Sequence, residues 1–363
     1  MSSGSAADAP QVCLVVSSGR CGSTLMSSMV RAHPDTLSVS ELFSSLRDHD
    51  LSQRDLSGTD FWAMLSTPGL TDLAGLRCQL NPDELLYPVF APRQGASRFN
   101  PATGVPPLIQ VTIPHLTQSP DDMYDMIGRM AVKQPQRLLS EHFRWLFDVL
   151  GRNRRPRIIV ERSGGSLAQV SALMQLFPEA RVVHLFRDGR ECAVSMSRHA
   201  RYKFAAIRAT LGAQLGYDPY AATYTNAQDL RCAEPAPGAL DAELAGLTPE
   251  RITRSSYDAF EVPATRYGAM WSKMIANGLG DLPNQDRLLS LEYGDLVARP
   301  RENIARFTEF LGLRAGSEWK DHVTALIRPS RDVRAEIGEQ QWDELTSVCR
   351  LGMNRLYGRH CWI

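Results

Sequence analysis

A short polar loop near the amino terminus carries residue types that bind phosphate-like anions. Its sequence, Ser18-Gly19-Arg20-Cys21-Gly22-Ser23-Thr24-Leu25, follows an apolar run and precedes apolar residues at helical spacing. A loop that leaves a strand and enters a helix presents unpaired N–H groups and the positive end of the helix dipole to a ligand. The loop therefore has the backbone properties of an anion site.

The side chains of this loop suit the same chemistry. Gly19 and Gly22 let the backbone approach a ligand closely, Ser23 and Thr24 add hydroxyl donors, and Arg20 adds a positive charge. The loop is not a standard Walker A motif, because its spacing is shorter and no Lys precedes the Ser-Thr pair. A plain helix cap is the alternative interpretation. The loop alone favours an anion site over that alternative.

A second polar turn follows the predicted strand 181–186. Arg187 lies at the carboxyl end of that strand, where open α/β sheets bind ligands. Ser195 comes eight residues later, inside the next predicted helix. The two side chains could hold one phosphate together, but a surface turn with an Asp–Arg ion pair explains the pattern equally well.

The segment 37–42 alternates apolar and polar residues like a strand and ends with Glu41. A carboxylate beside an anion site can act as a general base. By itself Glu41 is better explained as an ordinary exposed residue. His115 is the next candidate for the base.

The elements that must position these residues are strands alternating with helices. Short apolar runs at 12–16, 158–160, 181–186 and 287–291 predict buried strands. Helical stripes between them predict an α/β fold with a parallel sheet and right-handed crossovers. The segment 200–265 mixes Ala, Pro and Gly with seven aromatic residues and is predicted to be a lid-like insertion.

Composition limits the function classes. The chain has 363 residues, 43% hydrophobic and 22% charged, with 40 basic and 40 acidic residues. A net charge of zero argues against nucleic acid as a partner. The seven Cys contain no C-x-x-C pair and the eight His no metal-ligand spacing, so a zinc site and a disulfide framework are not expected. No apolar run of about 18 residues occurs, and the polar residues 1–10 predict a disordered tail rather than a signal peptide.

Taken together, these segments resemble the PAPS-dependent sulfotransferases (PAPS is 3′-phosphoadenosine 5′-phosphosulfate). The branch concerned has a first loop that reads R-S-G-T-T-L and includes tyrosyl-protein sulfotransferases and many bacterial enzymes. The resemblance covers about 11–45, 155–200 and 285–315, in family order and spacing. It rests on Arg20-Cys21-Gly22-Ser23-Thr24-Leu25, Ala32-His33-Pro34-Asp35 with Glu41, Val160-Glu161-Arg162-Ser163-Gly164, Arg187-Asp188-Gly189-Arg190 with Ser195, and Tyr293-Gly294-Asp295-Leu296-Val297.

The resemblance implies a fold and residue roles. The fold is a three-layer α/β domain with a P-loop-like central parallel sheet, flanked by helices and carrying a helical or irregular insertion on the acceptor side, and one domain spans 1–363. Glu41 is the implied base, and Arg20 and Arg162 stabilise charge on the sulfuryl group. The implied residues that bind PAPS, and its product adenosine 3′,5′-bisphosphate (PAP), are Arg20, Cys21, Gly22, Ser23, Thr24, Leu25, Arg187, Ser195 and Tyr293.

Several departures and open points accompany the resemblance. Cys21 replaces Ser, Gly189 replaces Pro, Gly294 replaces Glu, and Arg162 stands where the family has Lys. Arginine keeps the charge of lysine but changes shape and reach. The expected protein is a cytoplasmic, bacterial enzyme that needs no metal and acts on a small acceptor: a phenol, a natural-product or lipid alcohol, or a sugar. A phosphate-loop nucleotide kinase and a non-catalytic PAP/PAPS-binding protein are the alternatives, and the oligomeric state is not predicted.

Overall fold

Seven strands form two sheets in the computed structural model, which describes residues 10–80, 84–90, 98–221, 238–329 and 331–358. In chain order the strands are β1 (Gln11–Val16), β2 (Thr36–Ser40), β3 (Asp55–Leu56), β4 (Arg137–Leu138), β5 (Ile158–Arg162), β6 (Arg181–Phe186) and β7 (Leu288–Glu292). The main sheet has the order β2-β5-β1-β6-β7, and every pair in it is parallel. The short strands β3 and β4 pair antiparallel in a separate ribbon.

The helices, in chain order, are α1 (Ser23–Arg31), α2 (Leu42–Ser45), α3 (Gly58–Ser66), α4 (Leu70–Arg77), α5 (Pro107–Gln110), α6 (Thr112–Leu116), α7 (Pro120–Ala131), α8 (Leu139–Gly151), α9 (Val170–Leu176), α10 (Gly189–Ser197), α11 (Ala200–Leu215), α12 (Ala242–Ala245), α13 (Arg254–Ala259), α14 (Ala264–Gly278), α15 (Tyr293–Ala298), α16 (Pro300–Leu311), α17 (Ser317–Leu326), α18 (Val333–Ile337) and α19 (Glu339–Tyr357). Short 3₁₀ segments occur at Ser166–Gln169, Leu279–Asp281 and Gln285–Arg287.

The central strand β1 explains why the sheet forms where it does. Its residues from Val12 to Val16 are buried, as expected for a strand that is covered on both faces. It pairs with β5 on one side and β6 on the other. The strand order therefore reverses direction at β1, and ligands of open α/β sheets bind outside the carboxyl ends of strands at such a point.

The predicted fold class is confirmed: a central parallel sheet is flanked by helices. The predicted strands at 12–16, 158–160, 181–186 and 287–291 coincide with β1, β5, β6 and β7 within two residues. The segment 200–265 contains the 16-residue helix α11, and its residues 222–237 lie outside the described residues. The predicted tail also lies outside them, apart from Pro10. That the chain forms one domain stays a prediction.

Two kinds of feature are absent from the described residues. No helix there is both long and apolar enough to span a bilayer. No group of three or more His, Cys, Asp or Glu side chains there is arranged to hold a metal ion.

Candidate active site

A cavity of about 560 Å³ opens at the edge of the main sheet where the strands end. It is lined by the loop after β1, the residues after β2 and β5, Arg187 before α10, Ser195 near the end of α10, and side chains of α11. Of the residues predicted from the sequence, the lining contains Arg20, Gly22, Ser23, Thr24, Glu41, Arg187, Ser195 and Tyr293. The fold thus brings together residues that lie up to 273 positions apart.

The loop after β1 has an unusual backbone. Gly19, Arg20 and Gly22 all have positive φ, at 82°, 59° and 84°. A Cβ on Gly22 would lie 2.2 Å from the ring of Tyr293, so this position needs glycine for space as well as for conformation. Successive residues of this kind turn their N–H groups toward one side, and α1 begins directly after them without an acidic residue in its first turn.

Arg20 connects the first loop to the second predicted cluster. Its Nε donates to Ser195 Oγ over 3.1 Å, and its Nη1 donates to Glu84 Oε1 over 3.1 Å. The side chain is 31% exposed, so its guanidinium remains accessible from the cavity. Arg20 and Ser195, which were both predicted to bind PAPS, are therefore in direct contact.

Arg187 lies on the other side of the same loop. Its guanidinium carbon is 5.0 Å from the centre of the Tyr293 ring, and its Nε donates to Glu191 Oε2. Burial lowers the pKa of Arg187, but the Glu191 carboxylate outweighs this effect and holds that pKa above its ordinary value. The predicted ion pair of a surface turn exists one step away, between Arg190 and Asp188 at 2.6 Å. Arg187 therefore takes no part in that ion pair.

Glu41 is buried at the entrance to α2, with 5% of its surface exposed and a positive φ of 57°. Its Oε1 accepts a hydrogen bond from Arg162, and its Oε2 accepts from the Ser44 hydroxyl and, over 3.1 Å, from the Gly164 N–H. The interpretation of Glu41 as an ordinary exposed residue does not fit this environment. A charged carboxylate this buried needs such partners.

A second carboxyl group lies behind Glu41. Glu161 accepts hydrogen bonds from Ser163 Oγ over 2.6 Å and from the Phe43 N–H over 3.4 Å. Burial raises the pKa of Glu161 to about 8, although the hydrogen bond from Ser163 opposes the rise. Glu161 is therefore mostly protonated and neutral at pH 7.

Three predicted residues are placed behind the cavity wall instead of lining it. Arg162 is only 7% exposed, pairs with Glu41, and donates to Ser40 Oγ over 3.1 Å. Cys21 is fully buried, with its Sγ 3.7 Å from the Sγ of Cys192. Leu25 packs against the small apolar cluster that contains Met29. These residues support the loops from behind.

The alternative base, His115, contacts a different part of the structure. Its Nε2 lies 3.3 Å from Ser38 Oγ on the buried strand β2. Burial and nearby arginines lower the pKa of His115 to about 4. Glu41 lines the cavity and His115 does not appear in its lining.

The residues on the far wall of the cavity were not predicted individually, although the segments 45–130 and 200–265 were expected to shape the acceptor pocket. They are Ser44, Arg47, Thr71, Glu84, His199, Arg201, Tyr202, Arg208 and Arg331. Several carry ion pairs between distant segments: Arg47 with Asp72 at 2.6 Å, and Arg208 with Asp48 at 2.6 Å and with Asp218 at 2.5 Å. The apolar positions Phe204, Ile207 and Leu211 fit a helical period and were the available signal for α11.

His199 and Glu84 tie this far wall to the first loop. His199 Nδ1 accepts the Arg201 N–H over 3.2 Å, so Nε2 carries the proton and donates to Glu84 over 2.9 Å. Although burial raises the pKa of Glu84, the hydrogen bond from His199 and the positive charge of Arg201 outweigh burial and lower that pKa to about 2. Glu84 therefore stays ionised and bridges Arg20 and His199.

This fold and this loop define the class of the protein: an α/β protein with a glycine-containing loop between its first strand and first helix and a buried carboxylate in the same cavity. A model of the sulfotransferase family matches residues 103–261. The match confirms the predicted resemblance to sulfotransferases. It covers fewer than half of the residues, includes Arg162, Arg187 and Ser195, and does not reach the first loop or Glu41.

No curated protein matches the chain. Among solved structures, the chain is similar to the sulfotransferase domain from the curacin biosynthetic pathway, with a TM-score of 0.43, 14% identity, and coverage of 93% of this chain and 96% of that chain. The sulfotransferase domain of the Synechococcus PCC 7002 olefin synthase has a TM-score of 0.40 and 17% identity, with coverage of 95% of this chain and 86% of that chain. For a sulfotransferase from Mycobacterium avium the TM-score is 0.38 and the identity is 12%, with coverage of 96% of this chain and 76% of that chain. All three TM-scores are too low to carry over any detail of the site.

Proposed function

We propose that the protein transfers the sulfuryl group of PAPS to a hydroxyl group of a small acceptor. The observation that supports this proposal is the convergence of Arg20, Arg187 and Ser195 with Glu41 on one cavity. PAPS carries a phosphosulfate and a 3′-phosphate, so it needs two groups of cations and N–H donors. A hydroxyl acceptor needs a base beside the first group.

The donor would be held by the loop after β1 and by α10. The N–H groups at the start of α1, with Ser23 and Thr24, suit the phosphosulfate, and Arg187 with Ser195 suits the 3′-phosphate. Tyr293 supports Arg187 through its ring, 5.0 Å away. Binding at the 3′-phosphate, remote from the reacting sulfur, would give selectivity against nucleotides that lack this group.

In the proposed reaction, the acceptor oxygen forms a bond to sulfur while the bond from sulfur to the bridging phosphate oxygen breaks. The acceptor proton passes to Glu41, and PAP leaves. Glu41 receives three hydrogen bonds, whereas a carboxylate has about four lone-pair sites, so one site remains for the acceptor hydroxyl. Arg20 and the loop N–H groups are placed to stabilise the charge that develops on the phosphate side.

Arg162 has a different part in this proposal from the one that the resemblance implies. Because its guanidinium pairs with Glu41 behind the cavity wall, it would orient the base. Direct contact with the sulfuryl group would require Arg162 to leave Glu41.

Thermal unfolding of the purified protein with PAP, with AMP, and with ATP plus magnesium tests the donor site. A ligand at about 100 times its dissociation constant stabilises the folded state by roughly 2.7 kcal/mol. We expect PAP to raise the melting temperature and AMP to have little effect. Stabilisation by ATP–magnesium without stabilisation by PAP would contradict the sulfotransferase proposal and favour a nucleotide kinase.

A further inference from the structure

Arg201 is a charged side chain on the far wall of the cavity. Among the described residues it has no carboxylate partner within ion-pair distance. Its Nη2 makes one long hydrogen bond, 3.4 Å, to Gln110 Oε1. Its Nε is buried and has no hydrogen-bond partner in the described part of the chain. An unsatisfied buried donor of this kind costs free energy, and a guanidinium has five donors to satisfy.

The neighbouring arginines on this wall are in a different situation. Arg47 pairs with Asp72 at 2.6 Å, and Arg208 pairs with both Asp48 and Asp218. Their charges are neutralised by the protein itself. Arg201 differs from them because the carboxylates of Glu84 and Asp72 feel its charge without forming an ion pair with it, and its guanidinium keeps donors for a ligand.

The position of Arg201 on its helix adds a second, independent observation. Arg201 lies in the first turn of α11, and this turn contains no acidic residue. The first turn of a helix carries partial positive charge, so a cation is unfavourable there and an anion is favourable. With 16 residues, α11 is long enough for this effect to be developed. The start of α11 therefore adds partial positive charge near Arg201, although the Arg201 N–H itself is bound to His199 Nδ1.

Arg201 and the base line the same cavity. Arg201 and Glu41 both border the 560 Å³ cavity, and Arg201 also borders a smaller space of about 40 Å³ that is lined mainly by apolar residues such as Leu76, Leu85 and Phe204. A molecule in the larger cavity could present a hydroxyl group to Glu41 and an oxyanion to Arg201.

We propose that the acceptor is a hydroxylated carboxylate and that Arg201 binds its carboxylate group. The planar fork of a guanidinium matches a carboxylate with two parallel hydrogen bonds. This inference rests on the proposed function and narrows its acceptor. It makes Arg201 a residue that determines specificity, separate from the residues that hold the donor.

Three matched pairs of probes test it: 3-(4-hydroxyphenyl)propanoate, 6-hydroxyhexanoate and D-glucuronate, each beside its neutral counterpart (the amides of the first two, and D-glucose). Dissociation constants are measured by titration of the PAP-saturated protein. We expect at least one acid to bind about tenfold to a hundredfold more tightly than its counterpart, the range for a charged hydrogen-bonded pair. Equal binding of acid and neutral compound in all three pairs would overturn the inference.

Variants separate specificity from a structural effect. In Arg201→Gln the acid-to-neutral ratio should fall to near one, and Arg201→Lys should restore part of it. Arg198→Gln is the matched control, because Arg198 lies three residues away and pairs with Glu336 at the surface. A ratio that is unchanged in Arg201→Gln would also overturn the inference.

The two proposals fail in different ways. PAP affinity is measured first in every variant. If PAP does not bind the wild-type protein, the proposed function fails. If PAP binds and the probes show no preference for acids, only the role of Arg201 fails.

Discussion

The two walls of the cavity are built in different ways. The donor wall consists of the loop after β1 and the turn after β6, where backbone N–H groups and side chains come from short, continuous segments. The acceptor wall consists of α4, α11 and the segment that follows α2, and ion pairs join these distant parts of the chain: Arg47 pairs with Asp72, and Arg208 pairs with Asp48. A site built from one loop is visible in a sequence, whereas a site built from long-range pairs becomes visible only in the folded chain.

Glu41 stands at the junction of the two walls, and its replacement should have the largest effect. A positioned general base contributes about 10²- to 10⁴-fold in rate. We expect Glu41→Gln to lower the turnover of PAPS by that factor while PAP affinity changes little. Single-turnover kinetics with PAPS and a PAP titration measure the two quantities. Glu179→Gln, which alters an exposed carboxylate paired with Arg144, is the control.

Unchanged turnover in Glu41→Gln would show that the base lies elsewhere. A loss of turnover together with an equal loss of PAP affinity would show that Glu41 supports the donor wall and does not act at the acceptor. The melting temperature of the variant must be compared as well, because Arg162 would lose its carboxylate partner.

The donor wall alone is tested by Arg187→Ala. Removing a charged hydrogen-bond partner costs roughly 1.5–3 kcal/mol, which corresponds to about a tenfold to hundredfold loss of PAP affinity. AMP lacks the 3′-phosphate, so its weaker binding should not change. Competition titrations of PAP and AMP on the same variant measure this difference. An equal loss for both nucleotides would place Arg187 at another part of the donor.

The contrast between the walls also explains which predictions were possible. The first loop was identified because its glycines, Arg20 and Ser23 are adjacent in sequence and follow a buried strand. The helix α11 was predicted only as part of an irregular insertion, although Phe204, Ile207 and Leu211 follow a helical period, because Pro and Gly residues farther along the same segment obscured it. No spacing rule connects Glu84 to Arg20 or Arg47 to Asp72, since these contacts depend on how loops of unknown conformation return to the sheet.

The role of Arg162 shows a limit of a different kind. Arg162 is the last residue of β5 and lies beside Ser40 of β2 in register, so these adjacent parallel strands bring it close to Glu41, whereas the resemblance implied only contact with the sulfuryl group. The direction of its side chain could not be predicted from the sequence. The guanidinium turns to the buried Glu41, and the strength of that interaction depends on burial that the sequence does not show.

Glu161 provides a test of the wall behind the base. Its pKa of about 8 in the folded state exceeds the ordinary value of 4.5, so the folded protein binds the proton more tightly than the unfolded chain. Stability should therefore fall as the pH rises from 4.5 through about 8, by up to about 1.4 kcal/mol per pH unit from this group. In Glu161→Gln this contribution is absent. Denaturant unfolding of both proteins at pH 5 and pH 8 measures it, and identical pH dependence would mean that Glu161 is ionised in the fold.

The smallest effect should come from a hydroxyl that joins the acceptor wall directly to the donor loop. Tyr202 on α11 donates to the Ser18 carbonyl over 3.2 Å, and its hydroxyl oxygen occupies the space beside Gly19. We expect Tyr202→Phe to lower the free energy of unfolding by about 0.5–1.5 kcal/mol, the usual worth of one hydrogen bond, and to leave PAP affinity within about threefold. Chemical denaturation and a PAP titration check both values. A loss of PAP affinity as large as that of Arg187→Ala would mean that α11 holds the donor loop in its binding conformation, and the two walls would then act as one unit.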